Sequence, residues 1–333
     1  MSISAPAPAP ARDRAPGELA RVRRALVEHP LLMLGLILIA LVAACTIVKS
    51  SYLSGDQTGA ILRYAAPLAI MGAGQTLVML TAGIDLSMGA TATAAAYVMA
   101  GQSSHGTVSA IAYALAVGLA VGLVNGIGVG IFQVQPLIMT LGIAGIVTGL
   151  LTVRAATNRT AGQDVPHFVR QVGGEPLVGF VPNSLILWIV LSVILIVGLR
   201  RSGYGRMLYA YGDNPMAMRL AGVRSWQLLT VTYALCGLLA AVAGIVLAGL
   251  LNAADLGLAD SFLLPSIAAV VLGGTSLFGG VGTYSGTIMG ALILTVLDSF
   301  LTLLNADDSV RQILYGLIIL ALAALYARVQ RTA

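Results

Sequence analysis

Asp85 lies in Gly83-Ile84-Asp85-Leu86-Ser87-Met88-Gly89, at the join between two apolar runs. A carboxylate near the centre of a bilayer costs about 2.5 to 3.5 kcal/mol on insertion scales, so it normally faces a cavity or a partner. Gly83 and Gly89 permit close backbone approach, and Ser87, Thr91 and Thr93 supply hydroxyls. The stretch therefore reads either as part of a path for a polar solute or as a turn in which Asp85 caps the next helix. Asp298, in Leu294-Thr295-Val296-Leu297-Asp298-Ser299-Phe300, sits near the end of another apolar run, where it touches a passing solute or reaches interfacial water. Gln75, Asn125 and Thr140 are uncharged polar residues inside such runs; helix-to-helix hydrogen bonding is their ordinary use. With Gly83, Asp85, Ser87 and Asp298 they complete the candidate path residues.

Catalytic constellations are missing from the sequence. His29, His105 and His167 lie far apart, and with Cys45 and Cys236 they make no metal-site spacing. Lys49, the only lysine, follows Val48, whereas a phosphate-binding P-loop needs a lysine preceded by glycine. No cofactor is expected in this chain, and any nucleotide-driven work falls to another polypeptide.

The elements that must position these residues are membrane spans. Of 333 residues, 58% are hydrophobic and 9% charged, against about a quarter charged in soluble domains. With a mean hydropathy of +0.93, this is an all-α polytopic membrane protein. The net charge of +5 comes mostly from arginines at the termini and in one loop; it reports orientation and lipid contact, and nucleic acid is not an expected partner. Apolar segments fall at 31–49, 60–82, 86–101, 108–131, 136–154, 183–199, 225–251, 262–281, 284–304 and 310–327, which predicts about ten transmembrane helices. The segments 86–101 and 262–281 are rich in Gly, Ser and Thr, so one of them is expected to be broken or re-entrant. Five segments on either side of residue 180 allow two inverted five-helix halves, although the sequence has no convincing self-similarity.

Residues 1–30 form a tail with Arg12, Arg14, Arg21, Arg23 and Arg24; 200–224 is a short loop with Arg200, Arg201, Arg206, Arg219 and Arg224 against Asp213; and 328–333 carries Arg328 and Arg331. The positive-inside rule puts all three in the cytoplasm, flanking a transmembrane region over 31–327, with 155–182 as an irregular external segment. Within the basic loop, Asn214, Pro215, Met216, Ala217, Met218, Arg219, Leu220 and Gly222 form the pattern of a short helix. Asn214 suits the cap, Pro215 the first turn and Gly222 a left-handed stop. Two turns are too short to be stable alone in water, so a partner is expected to pack there, with Met216, Met218 and Leu220 exposed to it.

Four stretches together resemble the permease subunit of bacterial ABC importers for monosaccharides of the ribose, xylose and arabinose type. They are Gln75 to Gly89 with Gly-Ile-Asp-Leu-Ser-Met-Gly, Gln135-Pro136-Leu137-Ile138-Met139-Thr140-Leu141-Gly142, the loop from Gly205 to Gly222, and Ala268 to Gly280 with Ala-Ala-Val-Val-Leu-Gly-Gly-Thr-Ser. Met88, Leu137 and Met218 depart from the family's usual residues. The resemblance, over about residues 60 to 325, implies a permease of the bacterial inner membrane. It implies a second permease chain, identical or related, a periplasmic sugar-binding protein, and a separate ATPase that holds ATP and Mg. It also makes 155–182 periplasmic and the short helix from Pro215 the ATPase-coupling element. The rival class is a self-sufficient, ion-coupled secondary transporter of a small polar solute, for which Asp85 and Asp298 would have to be coupling carboxylates.

Overall fold

The computed structural model describes residues 30–157 and 165–332. The N-terminal tail, residues 158–164 and the side chains of Arg328 and Arg331 lie outside what is described. Each of the ten apolar segments is a helix: α1 (Pro30–Val48), α2 (Gly55–Leu80), α3 (Met88–Gly101), α4 (Thr107–Gly130), α5 (Pro136–Thr157), α7 (Asn183–Arg201), α10 (Ser225–Leu251), α11 (Asp260–Leu272), α12 (Tyr284–Leu303) and α13 (Asp308–Thr332). Six of them, α1, α4, α5, α7, α10 and α12, are long and apolar enough to cross a bilayer by length and composition. α2 is 26 residues long but diluted by Asp56, Arg63 and Gln75.

α3 and α11 are half-length. At 14 and 13 residues they rise about 20 Å, short of a hydrocarbon core of about 30 Å. α3 is short but uninterrupted, whereas of 262–281 only the first half is helical. The cause is local. α2 ends at Thr81, Ala82 takes the left-handed region (φ +61°), and the Gly83 N–H returns to the Val78 carbonyl at 3.1 Å. The chain thus doubles back beside α2 before α3 starts, with Met88 against Gly74. α10 ends in the same way on left-handed Asn252 (φ +50°), and residues 252–259 fold back until the Ala259 N–H donates to Thr93 Oγ1 at 3.1 Å. The N-termini of the two half-helices therefore lie side by side, Gly89 facing the Ala259 carbonyl.

The halves repeat. α3 packs on α4, α5 and α10; α11 packs on the equivalent α12, α13 and α2; and α2 and α10 pack on each other. The repeat is inverted, because the segment 167–182 touches the start of α2 (Phe180 on Gly55 and Gly59) and the end of α10 (Gly173 on Gly249). That segment is more ordered than its sequence suggests. It holds α6 (His167–Gly174) and a hairpin of β1 (Pro176–Val178) and β2 (Val181–Pro182). Cys45 and Cys236 are free and completely buried.

The tightest seam is α4 on α10. Gly118, Gly122, Gly126 and Gly130 repeat every four residues and make one glycine stripe along α4. A Cβ on Gly122 would collide with the Tyr233 carbonyl, and one on Gly126 would lie 2.6 Å from the Thr230 Cα. Without hydrophobic drive between helices in lipid, such backbone-to-backbone approach is what provides the packing contact.

Candidate functional site

Five of the seven candidate path residues meet, but not on a surface. Gln75 (α2), Asp85, Ser87, Asn125 (α4) and Thr140 (α5) are each at most 1% exposed and form one hydrogen-bonded knot around the turn before α3. Gln75 Nε2 donates to the Asp85 carbonyl at 2.6 Å, and the Asp85 N–H donates back to Gln75 Oε1 at 3.2 Å. The Leu86 N–H donates to Thr140 Oγ1 at 3.0 Å. Asp85 Oδ1 accepts from the Ser87 N–H (2.8 Å) and hydroxyl (2.6 Å), Ser87 Oγ accepts from Asn125 Nδ2 (2.8 Å), and Cys236 Sγ of α10 is 3.4 Å from Asp85 Oδ2.

The arrangement satisfies three successive buried backbone N–H groups where no helix can, which is what a re-entrant turn in a membrane requires. Asp85 does not cap α3, whose N-cap is Ser87 without a side-chain cap bond; its carboxylate instead closes the turn before the helix on the Ser87 N–H and hydroxyl. Gly83 serves the same turn, since a Cβ there would lie 2.6 Å from the Tyr233 hydroxyl oxygen. Replacing Asp85 with leucine leaves both Ser87 donors unmatched, at about 1 to 3 kcal/mol each. We expect Asp85→Leu to lower the thermal denaturation midpoint of the solubilised protein clearly, and Asp85→Asn, which keeps an acceptor oxygen, to lower it less.

Asp298 stands apart from the knot. It lines a cavity of about 550 Å³ between α2, α11, α12 and α13, where Arg311 Nη1 pairs with its Oδ1 at 3.1 Å and the Tyr315 hydroxyl donates to the same oxygen at 3.4 Å. Arg311, Asp260 and Gln312 also line it. Sequence reading missed all three, because none sits in a motif and each lies at the ragged start of an apolar run.

On the opposite side of the bundle the basic loop is mostly helical. α8 (Gly203–Asp213) was not expected; its glycines and tyrosines are poor helix formers, and its order comes from contacts. Ser202 caps it, accepting from the Gly205 N–H at 2.9 Å, while Leu208 is fully buried and Tyr204 Oη lies 2.9 Å from Thr232 Oγ1 on α10. The Tyr209 hydroxyl donates to the Gly282 carbonyl at 2.8 Å, and burial pushes its pKa up, against the pull of Arg200, so it stays a donor at neutral pH. At the end of α8, Gly212 presses on the Leu80 carbonyl and the Gly280 N–H. Three turns thus meet backbone to backbone: the end of α2, the end of α8 and the glycine-rich loop 273–283, in which Gly274, Gly279, Gly280 and Gly282 all have positive φ.

The expected short helix follows as α9 (Pro215–Leu220). Asn214 Oδ1 accepts from the Met216 and Ala217 N–H groups at 3.1 and 3.0 Å, and Gly222 has φ +80°. None of its residues is buried, with Met216 63% and Leu220 80% exposed; Met218, expected to be exposed, is half-buried. Losing such a cap costs about 1 kcal/mol. We expect Asn214→Ala to speed hydrogen exchange at residues 216–220 several-fold and leave α8 unchanged.

The chain is similar to sugar and signal importers along most of its length. It is 36% identical over 285 residues to the ribose import permease protein RbsC of Bacillus subtilis, covering 85% of this chain and 88% of that protein. It is 34% identical over 316 residues to the fructose import permease protein FrcC of Rhizobium meliloti, covering 91% and 86%. It is 33% identical over 299 residues to the autoinducer 2 import system permease protein LsrC of Yersinia pestis, covering 89% and 84%. No solved structure matches. The model of a permease family matches residues 57–323, from the start of α2 into α13, and the re-entrant turns, half-helices and α8–α9 arm all fall inside that match. The chain belongs to the family described as branched-chain amino acid transport system / permease component.

Proposed function

We propose that this chain is the permease subunit of an ATP-driven, binding-protein-dependent importer in a bacterial inner membrane, carrying a monosaccharide or related small polyol. Although the family's description names amino acids, the similar proteins above are named for ribose, fructose and autoinducer 2, which are polyhydroxylated. In this reading both termini and the α8–α9 arm are cytoplasmic, and 155–182 is periplasmic. A second permease chain, identical or related, completes the pathway, a periplasmic sugar-binding protein delivers the solute, and ATP and Mg belong to a separate ATPase.

The observation that carries the reading is the α9 arm. A capped helix of six residues with no buried side chain gains nothing by itself, yet it is carried directly on the end of α8 that is wedged, at Gly212, against α2 and the 273–283 loop. That is how a lever is built: the ATPase grips α9, and its movement reaches both halves of the bundle through Gly212, Leu80 and Gly280. Uptake into vesicles containing this chain tests the proposal. ATP together with the ATPase and the binding protein is expected to drive accumulation; accumulation driven by an ion gradient in this chain alone would establish the secondary-transporter alternative instead.

A further inference from the structure

The cavity beside Asp298 lies where α12 ends and α13 begins, away from the 273–283 loop on which α8 is wedged. Its polar wall is Asp260 at the start of α11, Asp298 on α12, and Arg311 and Gln312 on α13, while Tyr64 and Phe262 supply aromatic surface. Charged groups avoid hydrocarbon, so the space they line is suited to water or a polar solute.

Its chemistry selects a class of ligand. Arg311 is fixed: Nη1 pairs with Asp298 at 3.1 Å and Asp308 at 3.5 Å, and Nη2 donates to Thr302 Oγ1 at 3.1 Å. An anion would meet more carboxylates than guanidinium, and a free cation would compete with Arg311 for the same oxygens. Among the described residues no group of His, Cys, Asp and Glu is arranged to hold a metal ion. Among the described residues, the groups of this wall left without a hydrogen bond include the Asp260 carboxylate, the Gln312 amide, the Tyr64 hydroxyl and the Arg311 Nε–H, set beside aromatic surface. Hydroxyl groups, which donate and accept at once, match that set, and the C–H face of a sugar ring matches the aromatic surface.

We propose that this cavity is a binding site for a neutral polyhydroxylated solute, a monosaccharide or polyol, built within a single chain from Asp260, Asp298, Arg311 and Gln312. It rests on the importer reading for the identity of the solute and adds the place where the chain holds it.

The test uses the complete importer in vesicles, with Ser261→Cys or Leu264→Cys as separate reporters on the cavity wall. Alkylation by a membrane-impermeant maleimide added on the cavity side is followed with and without a panel of pentoses, hexoses and polyols. At least one member is expected to slow alkylation of both reporters about tenfold at ten times its dissociation constant. Protection of Ser261→Cys is expected to vanish when Asp298→Asn and Asp260→Asn are added. Equal rates with every member, or protection that survives both substitutions, overturns the site. ATP-dependent uptake is scored in the same vesicles: uptake without protection removes this proposal and leaves the importer standing, whereas protection without ATP-driven uptake removes the importer reading and keeps the site.

Discussion

Gly122→Leu is expected to abolish accumulation of folded protein. A Cβ at this position already collides with the Tyr233 carbonyl and lies 2.9 Å from the Ala234 Cα, so no side-chain rotamer relieves the conflict and α4 must leave α10. Ordinary overpacking costs about 1 to 3 kcal/mol because side chains can yield. Here the obstacle is backbone, and the seam is the one on which α3, α4 and α10 all depend. Size-exclusion chromatography of the detergent-solubilised protein gives the readout: a monodisperse peak for Gly122→Leu at wild-type yield would contradict the packing described. Gly145→Leu is the matched control, since a Cβ on Gly145 of α5 meets nothing within 4 Å.

The second large effect is expected at Gly212. Gly212→Ala places a methyl group against the Leu80 carbonyl and the Gly280 N–H, which are themselves hydrogen-bonded at 3.0 Å, and so opens the junction between α8, α2 and the 273–283 loop. None of the α4 seam glycines takes part in that junction, so the protein is expected to fold and, on the importer reading, to hold an ATPase through α9. Solute moved per ATP hydrolysed should fall about 5- to 150-fold, the span of a lost coupling free energy of about 1 to 3 kcal/mol. Gly203→Ala, at the other end of α8 where a Cβ finds only the Arg206 side chain at 3.9 Å, should leave the ratio unchanged. Equal ratios in the two variants would rule out the lever.

Much of this was legible in the sequence where the signal is local. Ten apolar runs each hold a helix, Asn214 and Gly222 cap α9 from both ends, and the Gly-, Ser- and Thr-rich segments hold the two short ones. What was hidden is what tertiary contact decides. α8 is a helix because Leu208, Gly205 and Gly212 find partners, and nothing in its composition announces that. Gln75, Asp85, Asn125, Thr140 and Cys236 span more than 160 positions, and only the fold brings them around one turn. The inverted repeat conserves how helices pack while leaving no sequence trace, because lipid accepts many apolar residues at the same place. The glycine stripe of α4 is a local signal of the other kind: four glycines at intervals of four fall on one helical face, and that spacing alone marks a seam of close backbone approach.

The burial of both cysteines has a practical outcome. Neither sulfur is reachable from either aqueous phase, so the native sequence offers a silent background for thiol chemistry. A single introduced reporter can therefore be read without first mutating Cys236, a residue that touches Asp85 and could not be replaced innocently.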